Sequence, residues 1–176
     1  MIFRSPQPDV FIPQVALTPF LLEGAAARGD KPAFIDGPTG RTLTYAGLVE
    51  AVHGTAAGLA ARGFRKGNVF AIYSPNLPEY AVAFHAVSLL GGIVTTINPS
   101  YTPAELSLQL ADAGATALVT VPPCLDKASH AARAAGVREV FVFGDANGAT
   151  PFASLFTRGG APPPVAFDPR TQIVAL

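Results

Sequence analysis

A mainly parallel α/β sheet with helices on both faces, preceded by a short β-hairpin, is the fold class this sequence predicts. Three observations predict it. Short apolar runs rich in strand-forming residues, such as NVFAIY (68–73) and IVTTI (93–97), alternate with segments whose apolar residues recur at helical spacing. The short runs show no in/out alternation, as expected of strands buried on both faces. The stretches that follow them, SPNLP, NPSYT and VPPC, suit stiff loops beyond the carboxyl ends of parallel strands, where such sheets bind ligands.

The elements follow in chain order. Residues 1–16 are punctuated by proline and predict an irregular lead. TPFLLEGAAAR (18–28) predicts a short helix with Thr18 as its cap and Pro19 at the first helical position. AFID (33–36) and TLTY (42–45), separated by a Gly/Pro turn, predict a hairpin. Thr44 caps a helix that runs to about residue 62, with Leu48, Val52, Ala56 and Leu59 on its apolar face, and Gly63 stops it. The strand NVFAIY follows. Asn76 and Glu79 have capping-box spacing at the head of a second helix over 78–90, apolar enough to be buried.

Gly91-Gly92 ends that helix, IVTTI follows as a strand, and Asn98-Pro99 terminates it, because proline cannot donate to a ladder. Thr102-Pro103-Ala104-Glu105 is a capping box opening a helix to about residue 113. ALVTV (117–121) is the next strand, 125–135 the next helix, and VREVFVFG (137–144) holds another strand. TPFASLF predicts one helical turn, and 157–170 a Gly/Pro-rich connector. TQIVAL reads as the start of a buried strand and is expected to be an unpaired apolar edge, through which the chain self-associates. The domain reading is therefore 1–29 lead and short helix, 30–45 hairpin, 46–145 α/β subdomain, and 146–176 connector with the start of a truncated strand.

Composition excludes several functions. Twelve basic and twelve acidic residues, scattered singly, leave no electrostatic footprint for nucleic acid or an anionic membrane. The apolar stretch 81–97 is split by Gly91-Gly92 into halves too short for a membrane span. One cysteine, Cys124, cannot form an internal disulfide, which fits a reducing, cytoplasmic setting. It has no His or acidic neighbour in sequence to make it a nucleophile. His53, His85 and His130 stand far apart, without clustered acids or thiols, so no metal site is expected. Neither a G-x-G-x-x-G fingerprint, a G-x-x-x-x-G-K-[ST] loop nor a G-x-S-x-G elbow is present, and GFRKGN (63–68) reads as the turn feeding a strand.

LTYAGL (43–48), followed in order by RKGNVFAIYSPNLPEYAVAFHAVSLLGGIVTTINPSYTPAEL (65–106), resembles the adenylate-forming enzymes, the acyl-CoA synthetase superfamily. INPSYTPAEL is most similar to the 4-coumarate:CoA ligase-like and fatty-acyl members. Gly47 stands where the family usually has Glu, and Asn68 where Asp is common. The resemblance implies that the chain is the N-terminal portion of a ligase. The parent would use ATP and Mg2+ to convert a carboxylic acid, a hydroxycinnamate or fatty acid, to an acyl-adenylate and then to a coenzyme A thioester. It also implies that the family's phosphate loop and catalytic residues lie beyond Leu176, so no catalytic residue is assigned and the isolated chain is expected to be inactive and cofactor-free. Asn76 and Asn98, at strand carboxyl ends, are the candidates for the cleft that takes substrate or coenzyme A. The competing roles for both are helix or turn caps. The alternative to the ligase reading is a complete small α/β binding or interaction module, including a subunit that complements a separate catalytic chain.

Overall fold

The computed structural model describes residues 6–8 and 10–176; part of the expected irregular lead, 1–5 and 9, lies outside the described residues. Helix α1 is Leu17–Ala26, and strands β1 (Pro32–Ile35) and β2 (Thr42–Thr44) form an antiparallel hairpin. Then come α2 (Tyr45–Ala61), β3 (Val69–Tyr73), α3 (Pro78–Leu89), β4 (Ile93–Ile97), α4 (Pro103–Asp112), β5 (Ala115–Thr120), α5 (Leu125–Ala135), β6 (Glu139–Val142) and β7 (Thr150–Pro151).

The second sheet has the order β4-β3-β5-β6-β7, and every neighbouring pair is parallel. This is the predicted α/β class. The strand β3 alternates between two cores. Phe70 and Ile72 pack with Val52, Ala56 and Leu59 of α2 and with Val82, Ala83 and Val87 of α3. Val69, Ala71 and Tyr73 face Leu106 and Leu110 of α4 and Ala128, Ala131 and Ala132 of α5. All five β3 residues are buried. Each large side chain so buried stabilises by roughly 1.5–3 kcal/mol relative to exposure, which is why a run without alternation belongs in the middle of this sheet.

Local chemistry explains most boundaries. The Thr44 side chain accepts from the Gly47 amide at 3.1 Å and starts α2. The Thr102–Glu105 capping box starts α4, with Glu105 accepting from the Thr102 amide at 2.8 Å. At the end of α3, Gly91 has φ +69°, a left-handed conformation that glycine adopts without a Cβ penalty. The expected turn in TPFASLF is a 3-10 turn, Phe152–Leu155.

Three local expectations are corrected. Thr18 is not the cap of α1: that position is Ala16, and Thr18 lies inside the helix, fully buried. The Asn76–Glu79 capping box does not form, since Leu77 is the N-cap of α3 without a side-chain bond and Glu79 pairs elsewhere. The TQIVAL segment is not unpaired. The Val94 amide donates to Val174 O at 2.8 Å and the Leu176 amide to Val94 O at 2.9 Å, a parallel bridge beside β4. The Ile173 and Leu176 side chains of the segment stay exposed.

Candidate functional site

Parallel register makes the carboxyl ends of β3, β4 and β5 level, because Tyr73 is opposite both Ile97 and Thr120. The loops at 74–77, 98–102 and 121–124 therefore leave the sheet side by side, as the ligand-binding edge of such a fold requires. The structure brings Asn76 and Asn98 to this one edge, both exposed.

The two asparagines differ in their surroundings. Asn98 Oδ1 accepts from the Ser100 amide at 3.0 Å and from Ser100 Oγ at 2.8 Å, and Tyr101 N donates to Asn98 O at 3.0 Å. That is an asparagine turn, in which the side chain replaces a backbone acceptor. Asn76 instead lines a cavity of about 540 Å3 between the hairpin tip and the first half of α3, with Phe34, Asp36, Tyr80, Phe84 and His85.

The 98–102 loop is tied down from beneath. Tyr73, completely buried, directs its hydroxyl to Pro99 O at 3.0 Å and Tyr101 O at 3.1 Å. Lys127 Nζ of α5 donates to Tyr101 O at 2.8 Å and lies 5.9 Å from the centre of the Tyr73 ring. Thr120 Oγ1 donates to Tyr73 O at 2.9 Å. One loop is thus held by side chains from two neighbouring elements. Nothing local in the sequence points to this network, because Tyr73 and Lys127 reach the loop across 26 to 28 residues.

Side chains of the hairpin and α3 make further interactions here. Arg41 of the hairpin forms a two-pronged ion pair with Glu79 of α3, with Nη2 to Oε2 at 2.8 Å and Nη1 to Oε1 as the second bond. Those bonds hold the Glu79 carboxyl below the usual carboxylate range against a partial desolvation cost. His85 Nδ1 lies 3.0 Å from Thr18 Oγ1, which hydrogen-bonds α3 to α1, and burial lowers the His85 pKa. Burial raises the Tyr80 pKa, opposed by a hydrogen bond with Thr96. Behind the ion pair a second cavity of about 230 Å3 runs between Leu43, Val82, Phe152 and Phe156. Among the described residues no group of three His, Cys, Asp or Glu could hold a metal ion. No helix of the described residues is long and apolar enough to cross a membrane.

A doubly covered parallel sheet with a level, loop-bearing carboxyl edge defines an α/β domain of the kind that takes ligands at that edge. The chain belongs to the AMP-binding enzyme family, whose model matches residues 21–166. It is 40% identical over 177 residues to 4-coumarate–CoA ligase 5 of Oryza sativa subsp. japonica, a match that covers 99% of this chain and 32% of that enzyme. A solved structure of MbtA from Mycobacterium smegmatis superposes with a TM-score of 0.81 at 30% identity, over 92% of this chain and 31% of the other. A long-chain-fatty-acid-CoA ligase from Archaeoglobus fulgidus superposes with a TM-score of 0.86 over 98% of this chain and 36% of the other; at 22% identity that likeness is one of fold. The chain spans about a third of the length of the first of these relatives. The resemblance carried by LTYAGL and residues 65–106 is thereby borne out.

Proposed function

We propose that this chain is the N-terminal part of an ATP-dependent acid–thiol ligase that makes an acyl-adenylate and then an acyl-CoA thioester. The observation that carries this reading is 40% identity along 99% of the chain to a 4-coumarate–CoA ligase. The substrate class that fits that relative is a hydroxycinnamate, with fatty acids as the neighbouring class. The division into lead, hairpin, α/β subdomain and connector belongs to the same reading, as does a cytoplasmic location.

In this reading the 74–77 and 98–102 loops border the cleft for substrate or coenzyme A. Asn76 is exposed on the 74–77 loop, whereas the Asn98 carboxamide oxygen already serves its turn. Asn76 is therefore the better contact candidate, and Asn98 shapes the loop that carries Ser100 and Tyr101. The residues of this chain do not by themselves fit ATP and Mg2+. None of the three carboxyl-edge loops is glycine-rich, and the described acidic residues do not converge as metal ligands. In this reading ATP, Mg2+ and coenzyme A are held by the whole enzyme, through groups outside these three loops that would stabilise transferring phosphates.

The test is ATP–pyrophosphate exchange with hydroxycinnamates and medium-chain fatty acids. The 176-residue chain alone gives no exchange above a protein-free control. Exchange well above that control would overturn the assignment of catalysis to the remainder of the enzyme. We also propose that the isolated chain self-associates. Val10, Phe11, Ile12, Phe20 and Leu21 are exposed, as are Ile173 and Leu176 along the strand edge beside β4.

A further inference from the structure

The cavity between the hairpin tip and α3 carries a recognition chemistry that the ligase reading does not use. Its volume of about 540 Å3 falls in the range of small-molecule sites, roughly 300–1,000 Å3. Phe34, Tyr80 and Phe84 supply aromatic wall, and Asp36 and Asn76 supply polar rim.

The charges beside this cavity decide its preferred ligand. Asp36 and Glu79 are carboxylates, and both act electrostatically on Arg41. The local sum is one negative charge. His85 adds no positive charge near neutral pH, because burial lowers its pKa. The N-terminus of α3 also points here and brings a partial positive charge of about half a unit. That is smaller than the carboxylate excess. Its free donors are also depleted: Pro78 has no N–H, the Tyr80 amide donates to Leu77 O at 3.0 Å, and the Glu79 amide bonds its own carboxylate. Aromatic faces attract a cation through their quadrupole, worth about 0.5–2 kcal/mol or roughly 2- to 30-fold in affinity.

We propose that this cavity binds a small organic ammonium ion, with the ammonium against the rings of Phe34, Tyr80 and Phe84 and beside the Asp36 carboxylate. The proposal does not rest on the ligase reading, and occupancy of the cavity can be read on the chain itself.

The probes are benzyltrimethylammonium, benzyl alcohol and phenylacetate, which share a ring and differ in charge. Each is titrated into the 15N-labelled chain while amide shifts are followed. The expected result is shifts confined to the hairpin tip and the first half of α3. The cation should bind at least threefold tighter than benzyl alcohol, and phenylacetate should be the weakest. Asp36→Asn should weaken the cation at least about twofold without changing benzyl alcohol binding, and Tyr80→Leu should weaken the cation by a larger factor than benzyl alcohol. Phe34→Ala, at an exposed hairpin position, should weaken the cation by a larger factor than it weakens benzyl alcohol. Equal or tighter binding of the neutral or anionic probe, shifts elsewhere, variants that bind the cation unchanged, or no binding by any probe would each overturn the proposal.

Discussion

Arg41 and Glu79, separated by 38 residues, join the β1–β2 hairpin to the first turn of α3 through two parallel hydrogen bonds and together line the cavity of about 230 Å3. The pair is geometrically good but wet, with side chains 57% and 30% exposed. Screening limits such pairs to about 0.2–1 kcal/mol. Arg41→Leu should therefore lower the unfolding free energy by no more than about 1 kcal/mol in urea denaturation at neutral pH. A loss of several kcal/mol would mean that the hairpin depends on this contact far more than its exposure allows. The pH dependence has a definite sign. The folded carboxyl titrates below its ordinary value of 4.5, so the contribution is present above that value and is lost as pH falls through the lower folded one. Glu79→Gln should flatten that part of the acid limb.

His85 gives the opposite end of the scale. Its folded pKa lies below the ordinary 6.5, so the unfolded chain binds the proton first. Stability should fall as pH drops through about 6.5 and should stop falling below the folded value. His85→Gln should remove this slope between pH 7 and 5 in thermal melts. A variant with the wild-type slope would assign it to other groups.

Glycines in helices separate two outcomes. A Cβ on Gly58 of α2 would sit 1.8 Å from Leu155 O, whereas one on Gly24 of α1 meets nothing within 4 Å. Alanine gains up to about 1 kcal/mol of helix propensity at either site. At Gly58 the clash is with backbone, and overpacking costs about 1–3 kcal/mol or more. Gly58→Ala should destabilise and Gly24→Ala should stabilise. Equal shifts in the urea midpoint would show that α2 and the 152–155 turn do not pack as described.

Much of this was legible in the sequence, and the misses share a cause. The Thr102–Glu105 capping box and the Thr44 cap are local chemistry with fixed spacing, and both form. The β3 run reads as a central strand because five successive buried residues leave it no other place. Asn76–Glu79 has the same spacing as a capping box, yet Arg41 competes for Glu79 from a remote hairpin. Thr18 resembles a cap beside Pro19, but His85 draws it into the interior. The lock on the 98–102 loop depends on Tyr73 and Lys127, which no local pattern connects. Asn76 and Asn98 could be placed at one sheet edge from strand ends alone, whereas the cavity beside Asn76 requires the hairpin to fold back on α3.

Self-association has a simple readout. Light scattering with size exclusion, over a tenfold concentration range, should show the apparent mass of the isolated chain rising above 18.1 kDa. Ile173→Lys at the strand edge should reduce it, because a charge there opposes edge pairing. A strictly monomeric chain at every concentration would remove the proposal.

The central claim is that this chain supplies the N-terminal part of an acyl-CoA ligase. Its most direct test is product formation by the gene product that carries this sequence at the relatives' full length. With ATP, Mg2+, coenzyme A and 4-coumarate, mass spectrometry should find AMP and the coumaroyl-CoA thioester in equal amounts. Separate reactions with medium-chain fatty acids establish the preferred acid. Formation of AMP and thioester from any of these acids agrees with the account, whereas no adenylate, AMP or thioester from any of them would contradict it.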